Sequence, residues 1–134
     1  MRESLLDTDI LSEFLRGRPN VILHVDNYLC EFGFLSLSII TYYEILNGLL
    51  YKDAKKQLPK FFAFIELNKV LPLTITAAKK AAEIHSDLRK KGIEIGHADT
   101  LIAGIALVNN LNLVTNNTEH FKRIRGLKTE NWLK

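Results

Sequence analysis

Three carboxylates stand where an α/β chain would carry its chemistry. Asp7 follows the apolar run Ser4-Leu5-Leu6, Glu44 lies just beyond the apolar stretch Phe32 to Ser38, and Asp99 opens a long apolar segment after Gly96-His97. They are distant in sequence, so only the fold can bring them together. Two like charges about 4 Å apart cost around 4 kcal/mol at an effective dielectric near 20. Such a cluster keeps a proton or takes up a cation. Oxygen donors without thiolate or imidazole suit Mg²⁺, with Mn²⁺ as a substitute, ions that retain several waters and bind substrate phosphate. An ion so held polarises a phosphoryl oxygen and acidifies a bound water, which is the chemistry of phosphodiester hydrolysis. Each acid also has a local explanation. Asp7 can cap a helix from Thr8, Glu44 can answer Thr41 in a capping box, and Asp99 can sit favourably against a helix dipole.

The elements that must position these acids are legible from periodicity. Ser4 to Leu6 predicts a buried strand, and Ile10, Leu11, Phe14 and Leu15 mark one face of a helix over 8–16 that Gly17 and Pro19 stop. A second helix is expected over 21–29 and a second strand over 32–38. Thr41-Tyr42-Tyr43-Glu44 predicts the start of a helix running through Leu50. Pro59 suits the first turn of the next helix, with Leu58, Phe61, Phe62 and Ile65 as its apolar stripe. Val70 to Leu73 is a third strand, and Thr76 is expected to cap a helix that Gly92 ends. His97 to Asn109 is apolar almost all round and should lie deep. Leu113 to Thr115 is a fourth strand, followed by a turn at Gly126 and an edge strand. This alternation argues for an α/β layered fold with a mainly parallel sheet, whose ligands gather where strands lead into helices.

Composition narrows the class. The chain has 134 residues, 47% hydrophobic and 25% charged, which fits one globular domain over 1–134. A net charge of +3 permits a phosphate-rich partner without demanding one. The single cysteine, Cys30, excludes a disulfide framework or a cysteine-rich zinc ribbon and suits a reducing cytoplasm. No signal peptide or membrane span is expected.

The blocks around the acids, taken in order, resemble the PIN-domain ribonucleases, and within them the VapC-type toxins of toxin–antitoxin pairs. Leu5-Leu6-Asp7-Thr8-Asp9-Ile10 is similar to the family's opening strand and turn. Thr41-Tyr42-Tyr43-Glu44 lies in the second block, His97-Ala98-Asp99-Thr100 in the third, and Leu113-Val114-Thr115-Asn116-Asn117 leads into the terminal signature. The resemblance implies a three-layer α/β/α PIN fold with a central four- or five-stranded sheet. It implies a toxic, metal-dependent endoribonuclease that cuts tRNA or ribosomal RNA and so inhibits translation. Asp7, Glu44 and Asp99 are then the metal and catalytic residues, and Asn117 orients water or phosphate. Thr8, Asp9, Thr41, Thr115 and Arg16 support the site or touch substrate. A VapB-like antitoxin, a homodimer and a toxin–antitoxin hetero-oligomer are implied as partners, with no membrane. Two departures stand out: Asn117 and His120 occupy positions where the family often has acids.

Two other readings remain open on the sequence. One is a PIN domain of weak or no catalytic power that binds RNA or antitoxin. The other is a haloacid-dehalogenase-type phosphatase, because Asp7-Thr8-Asp9 follows an apolar strand, although no acid follows the last strand to complete that site. The histidines lack ligand spacing. Arg16 and Lys122 to Arg125 are the basic residues nearest the expected site, and surface lysines such as Lys79, Lys80 and Lys90 suit a solvated helix face.

Overall fold

A computed structural model describes residues 1–134. Five short strands, β1 (Ser4–Leu6), β2 (Ser36–Ser38), β3 (Lys69–Leu71), β4 (Asn112–Val114) and β5 (Thr129–Glu130), form one sheet in the order β3-β2-β1-β4-β5. Every pairing is parallel. Helices α1 (Thr8–Leu15), α2 (Pro19–Phe32), α3 (Ile39–Tyr51) and α4 (Gln57–Leu67) connect the first three strands, and α5 (Ile75–Lys90) and α6 (His97–Val108) cross back to β4. A single turn, α7 (Thr118–Phe121), precedes β5.

Strand pleating decides what each layer buries. Leu5 and Leu113 face α5 and α6 in a core with Ala77, Ile102 and Phe121, whereas Leu6 and Val114 face α1 and α2 with Ile10, Val21, Val25 and Tyr28. Leu37 joins a third cluster with Leu11, Ile45 and Phe61. Successive strand residues point to opposite faces, so a sheet buried on both sides needs near-continuous apolar strands. The three-layer arrangement follows, with five strands in the middle.

Several boundaries differ from the periodicity reading. Phe32 is the last residue of α2 and no part of a strand: Gly33, at φ +83°, ends the helix in the left-handed region and β2 begins only at Ser36. Pro19 at the start of α2 lengthens that helix at its other end. Ser38, not Thr41, caps α3, its hydroxyl accepting the Thr41 N–H at 3.0 Å. Glu44 therefore lies in the second turn, free of capping. Thr74 rather than Thr76 caps α5 by accepting the Ala77 N–H at 3.1 Å. The one-turn helix α7 carries too little periodicity to be seen from sequence.

Helices α5 and α6 approach through small residues. A Cβ on Gly104 would lie 2.6 Å from the Ala77 carbonyl oxygen and 3.0 Å from the Ala81 Cβ. Gly104→Ala gains up to about 1 kcal/mol of helix propensity but forces two backbones apart, at about 1–3 kcal/mol of overpacking. We expect net destabilisation, seen as a lower urea midpoint at unchanged slope; an equal or higher midpoint would show that the contact is slack.

Candidate active site

The strand order reverses between β1 and β4. In an open parallel sheet, connections then leave to opposite faces and open a crevice at the carboxyl ends of those two strands. Asp7 is the first residue beyond β1. Its N–H donates to the Val114 carbonyl at 2.8 Å, which carries the ladder one residue further and fixes where the side chain emerges. Its Oδ1 caps α1 by accepting the Thr8 N–H at 2.8 Å, and its Oδ2 accepts the Thr115 hydroxyl at 2.8 Å. The local explanation for Asp7, a helix cap, thus holds for one oxygen only. Thr115, just past β4, gives its proton to Asp7, so its oxygen is free to accept the Asn117 N–H at 3.0 Å.

Asp7 is 6% exposed. Burial above all, then the Asp9 charge, push its carboxyl from 3.8 up to about 7; the Thr115 and Thr8 hydrogen bonds oppose this, and Asp99 adds to it. Asp9 is raised as well, first by burial, with Asp99 adding and the N–H groups of Asn116 and Ile10 pulling back. The Asn116 bond, 3.0 Å to Asp9 Oδ2, ties α1 to the loop after β4, while the Ile10 bond, 2.7 Å to Oδ1, stays within α1. Asp99, in the first turn of α6, is raised by burial and eased by His120, whose Nε2 lies 3.4 Å from Asp99 Oδ2. Three aspartates, two from the start of α1 and one from α6, thus share one electrostatic neighbourhood.

Glu44 occupies an adjoining knot of hydroxyls. Its Oε1 accepts the Thr8 hydroxyl at 2.5 Å, and the Thr8 and Thr41 hydroxyl oxygens are 2.9 Å apart. A carboxylate only accepts, so Thr8 donates to Glu44 and Thr41 must donate to Thr8. Glu44 and Asp7 are therefore both bonded to Thr8, one through the side chain and one through the backbone. Arg16 stands apart, exposed and paired with Glu13 at 2.8 Å. It does line a cavity of about 610 Å³ with Thr8, Glu44, Lys52 and Lys60. On the other flank, a cavity of about 370 Å³ is bordered by Asn117, His120, Glu94 and Arg123. Asn117 is exposed at the start of α7 and makes no side-chain capping bond there.

The donor set fits a hydrated divalent ion better than a closed cage. No three His, Cys, Asp or Glu side chains lie close enough to hold a metal unaided. Mg²⁺ and Mn²⁺ are commonly bound by one or two carboxylates, with waters and substrate phosphate completing the shell. A buried carboxyl with two aspartates raising its proton affinity is a place where such an ion relieves repulsion. The buried His120 Nε2 has no hydrogen-bond partner. Sequence reasoning marked His120 as standing where the family often has an acid but missed its approach to Asp99, and it missed the Asn116 N–H that anchors Asp9. The available signal was their place in the loop after β4, beside Asn117.

The model of the PIN domain family matches residues 4–127. The chain is similar to the tRNA(fMet)-specific endonuclease VapC of Shigella flexneri, at 31% identity with 98% of this chain and 99% of the relative covered. It is 30% identical to Ribonuclease VapC2 of Rickettsia felis, covering 96% of each. Among solved structures, the DNA-bound VapBC of Salmonella typhimurium superposes with a TM-score of 0.87 at 31% identity, over 98% of this chain and 99% of the other.

Proposed function

The chain belongs to the PIN-domain family, among the VapC ribonucleases, and from that premise we propose that it is the toxin of a toxin–antitoxin pair, hydrolysing phosphodiester bonds of tRNA or ribosomal RNA with Mg²⁺. The observation that carries the reading is Asp7: a buried carboxyl at the switch point of the sheet, lifted to about 7 beside Asp9 and Asp99. We assign Asp7 and Asp99 to holding the ion directly or through water, with Glu44 reaching it through water. A bound divalent ion supplies a polarised phosphoryl oxygen and a water acidified for attack.

The chain's own residues do the rest. Thr115 and the Thr8 N–H each hold one oxygen of Asp7 and set its plane. The Thr8 hydroxyl holds Glu44 Oε1, and the Thr115 oxygen fixes the backbone from which the Asn117 amide faces the flanking cavity. Arg16, Lys52 and Lys60 border the opposite cavity, where they neutralise phosphates of the RNA strand entering past Glu44. We further place the protein in the cytoplasm as a homodimer held by a VapB-like antitoxin; no helix is long and apolar enough to cross a membrane.

Two readings separate on one experiment. Purified protein freed of antitoxin, given total RNA and Mg²⁺, should yield fragments with 5′-phosphate and 3′-hydroxyl ends, since water rather than the 2′-hydroxyl attacks. Sequencing those 5′ ends names the target. A PIN domain that binds without cutting draws support from the exposed Asn117 amide and the open donor set; it predicts RNA retention with no new ends. The phosphatase reading falls with the family assignment. Reversing Lys52 and Lys60 to Glu should lower RNA affinity at least tenfold near physiological salt and flatten its salt dependence by about two counterions. An unchanged salt slope would move the RNA path elsewhere.

A further inference from the structure

We propose that His120 is a nitrogen ligand of the metal centre, so that this protein's site prefers Mn²⁺ over Mg²⁺ more strongly than an all-oxygen site would. The inference rests on the metallonuclease reading above and deepens it. His120 comes from α7, after β4, and borders a cavity that shares no lining residue with the one beside Glu44. Its Nε2 is buried, lacks any hydrogen-bond partner and lies 3.4 Å from Asp99 Oδ2. That separation is long for an N–H···O bond, which falls at about 2.7–3.2 Å. It is close to the spacing of neighbouring ligands on an octahedral ion: with metal–ligand distances of about 2.1–2.2 Å, adjacent donors sit roughly 3.0–3.1 Å apart.

The ring is held for this task. It packs edge-on against Phe121, with centroids 5.7 Å apart, and Phe121 is fully buried in the core. Asp99 and His120 together give one carboxylate and one imidazole, leaving the remaining positions to waters and phosphate, with Asp7 reaching the ion through a bound water. Imidazole is a softer donor than carboxylate or water; Mg²⁺ is a hard, oxygen-binding cation, whereas Mn²⁺ begins the first-row series along which affinity for nitrogen donors rises.

The test uses the full-length chain and Mn²⁺ itself. Pulsed electron paramagnetic resonance on the Mn²⁺-loaded protein should show hyperfine coupling to an imidazole nitrogen. The coupling should vanish in His120→Gln and His120→Glu, each checked for folding by circular dichroism. By calorimetry, the ratio of Mn²⁺ to Mg²⁺ affinity should fall about tenfold in His120→Glu. Bound Mn²⁺ without nitrogen coupling, or coupling that survives both substitutions, overturns the assignment of His120 while leaving the nuclease standing. Failure of the unaltered protein to bind Mn²⁺ at all overturns both.

Discussion

Asp7→Asn should silence RNA cleavage, by roughly a thousandfold or more, and at the same time raise the melting temperature of the metal-free protein at neutral pH. The two effects share one cause. The Asp7 carboxyl is ordinary at 3.8 in the unfolded chain and about 7 in the fold. Between those values the folded state keeps a proton that the unfolded state has released. Stability therefore falls as pH rises through that window, and the whole penalty is present above pH 7. The displacement corresponds to at most about 4 kcal/mol. Part of this is given back in the variant, because the Thr115 hydroxyl loses its carboxylate acceptor. With chelator present, the unaltered protein should melt several degrees higher at pH 5 than at pH 7.5, through this group. Asp7→Asn should lose that dependence and melt higher at pH 7.5. A variant that melts lower at neutral pH would mean that its hydrogen bonds, and not charge repulsion, dominate at this position.

Removing divalent ions should have a comparable effect on activity and the opposite effect on stability. Excess chelator should abolish cleavage, and added Mg²⁺ or Mn²⁺ should restore it. An ion that binds only the folded state at a hundred times its dissociation constant contributes about 2.7 kcal/mol. The ion competes with the proton on Asp7, so the rise in melting temperature on adding Mn²⁺ should be larger at pH 7.5 than at pH 5.5. Undiminished cleavage in chelator would remove metal from the mechanism altogether. A pH-independent stabilisation would place the ion away from Asp7.

Much of the architecture was legible because strands and helices here obey simple periods. Leu5-Leu6 and Leu113-Val114 are apolar on both faces, as strands of a doubly covered sheet must be, and the placement of Asp7 at a strand end followed from that. What escaped was set by side-chain competition. Ser38 and Thr41 are both good caps, and only the three-dimensional turn decides that Ser38 holds the Thr41 N–H while the Thr41 hydroxyl turns toward Thr8. The same competition hid the partner of Glu44, which carried the spacing of a capping box yet accepts the hydroxyl of another helix. The approach of His120 to Asp99 escaped because the two lie on different helices, so no interval in the sequence could pair them. Arg16 was legible as a nearby base, but its contact with Glu13 and its place on the rim of the cavity required coordinates.

The pairing of β1 with β4 has a bearing on how such a molecule is made. The central strand leaves the ribosome about a hundred residues ahead of its neighbour at the switch point, which carries Thr115 and Asn116. A growing chain thus holds Asp7, Glu44 and then Asp99 without the strand that seats them. A complete site therefore waits for β4, and the interval between the two strands is time in which an inhibitor made alongside can already be present.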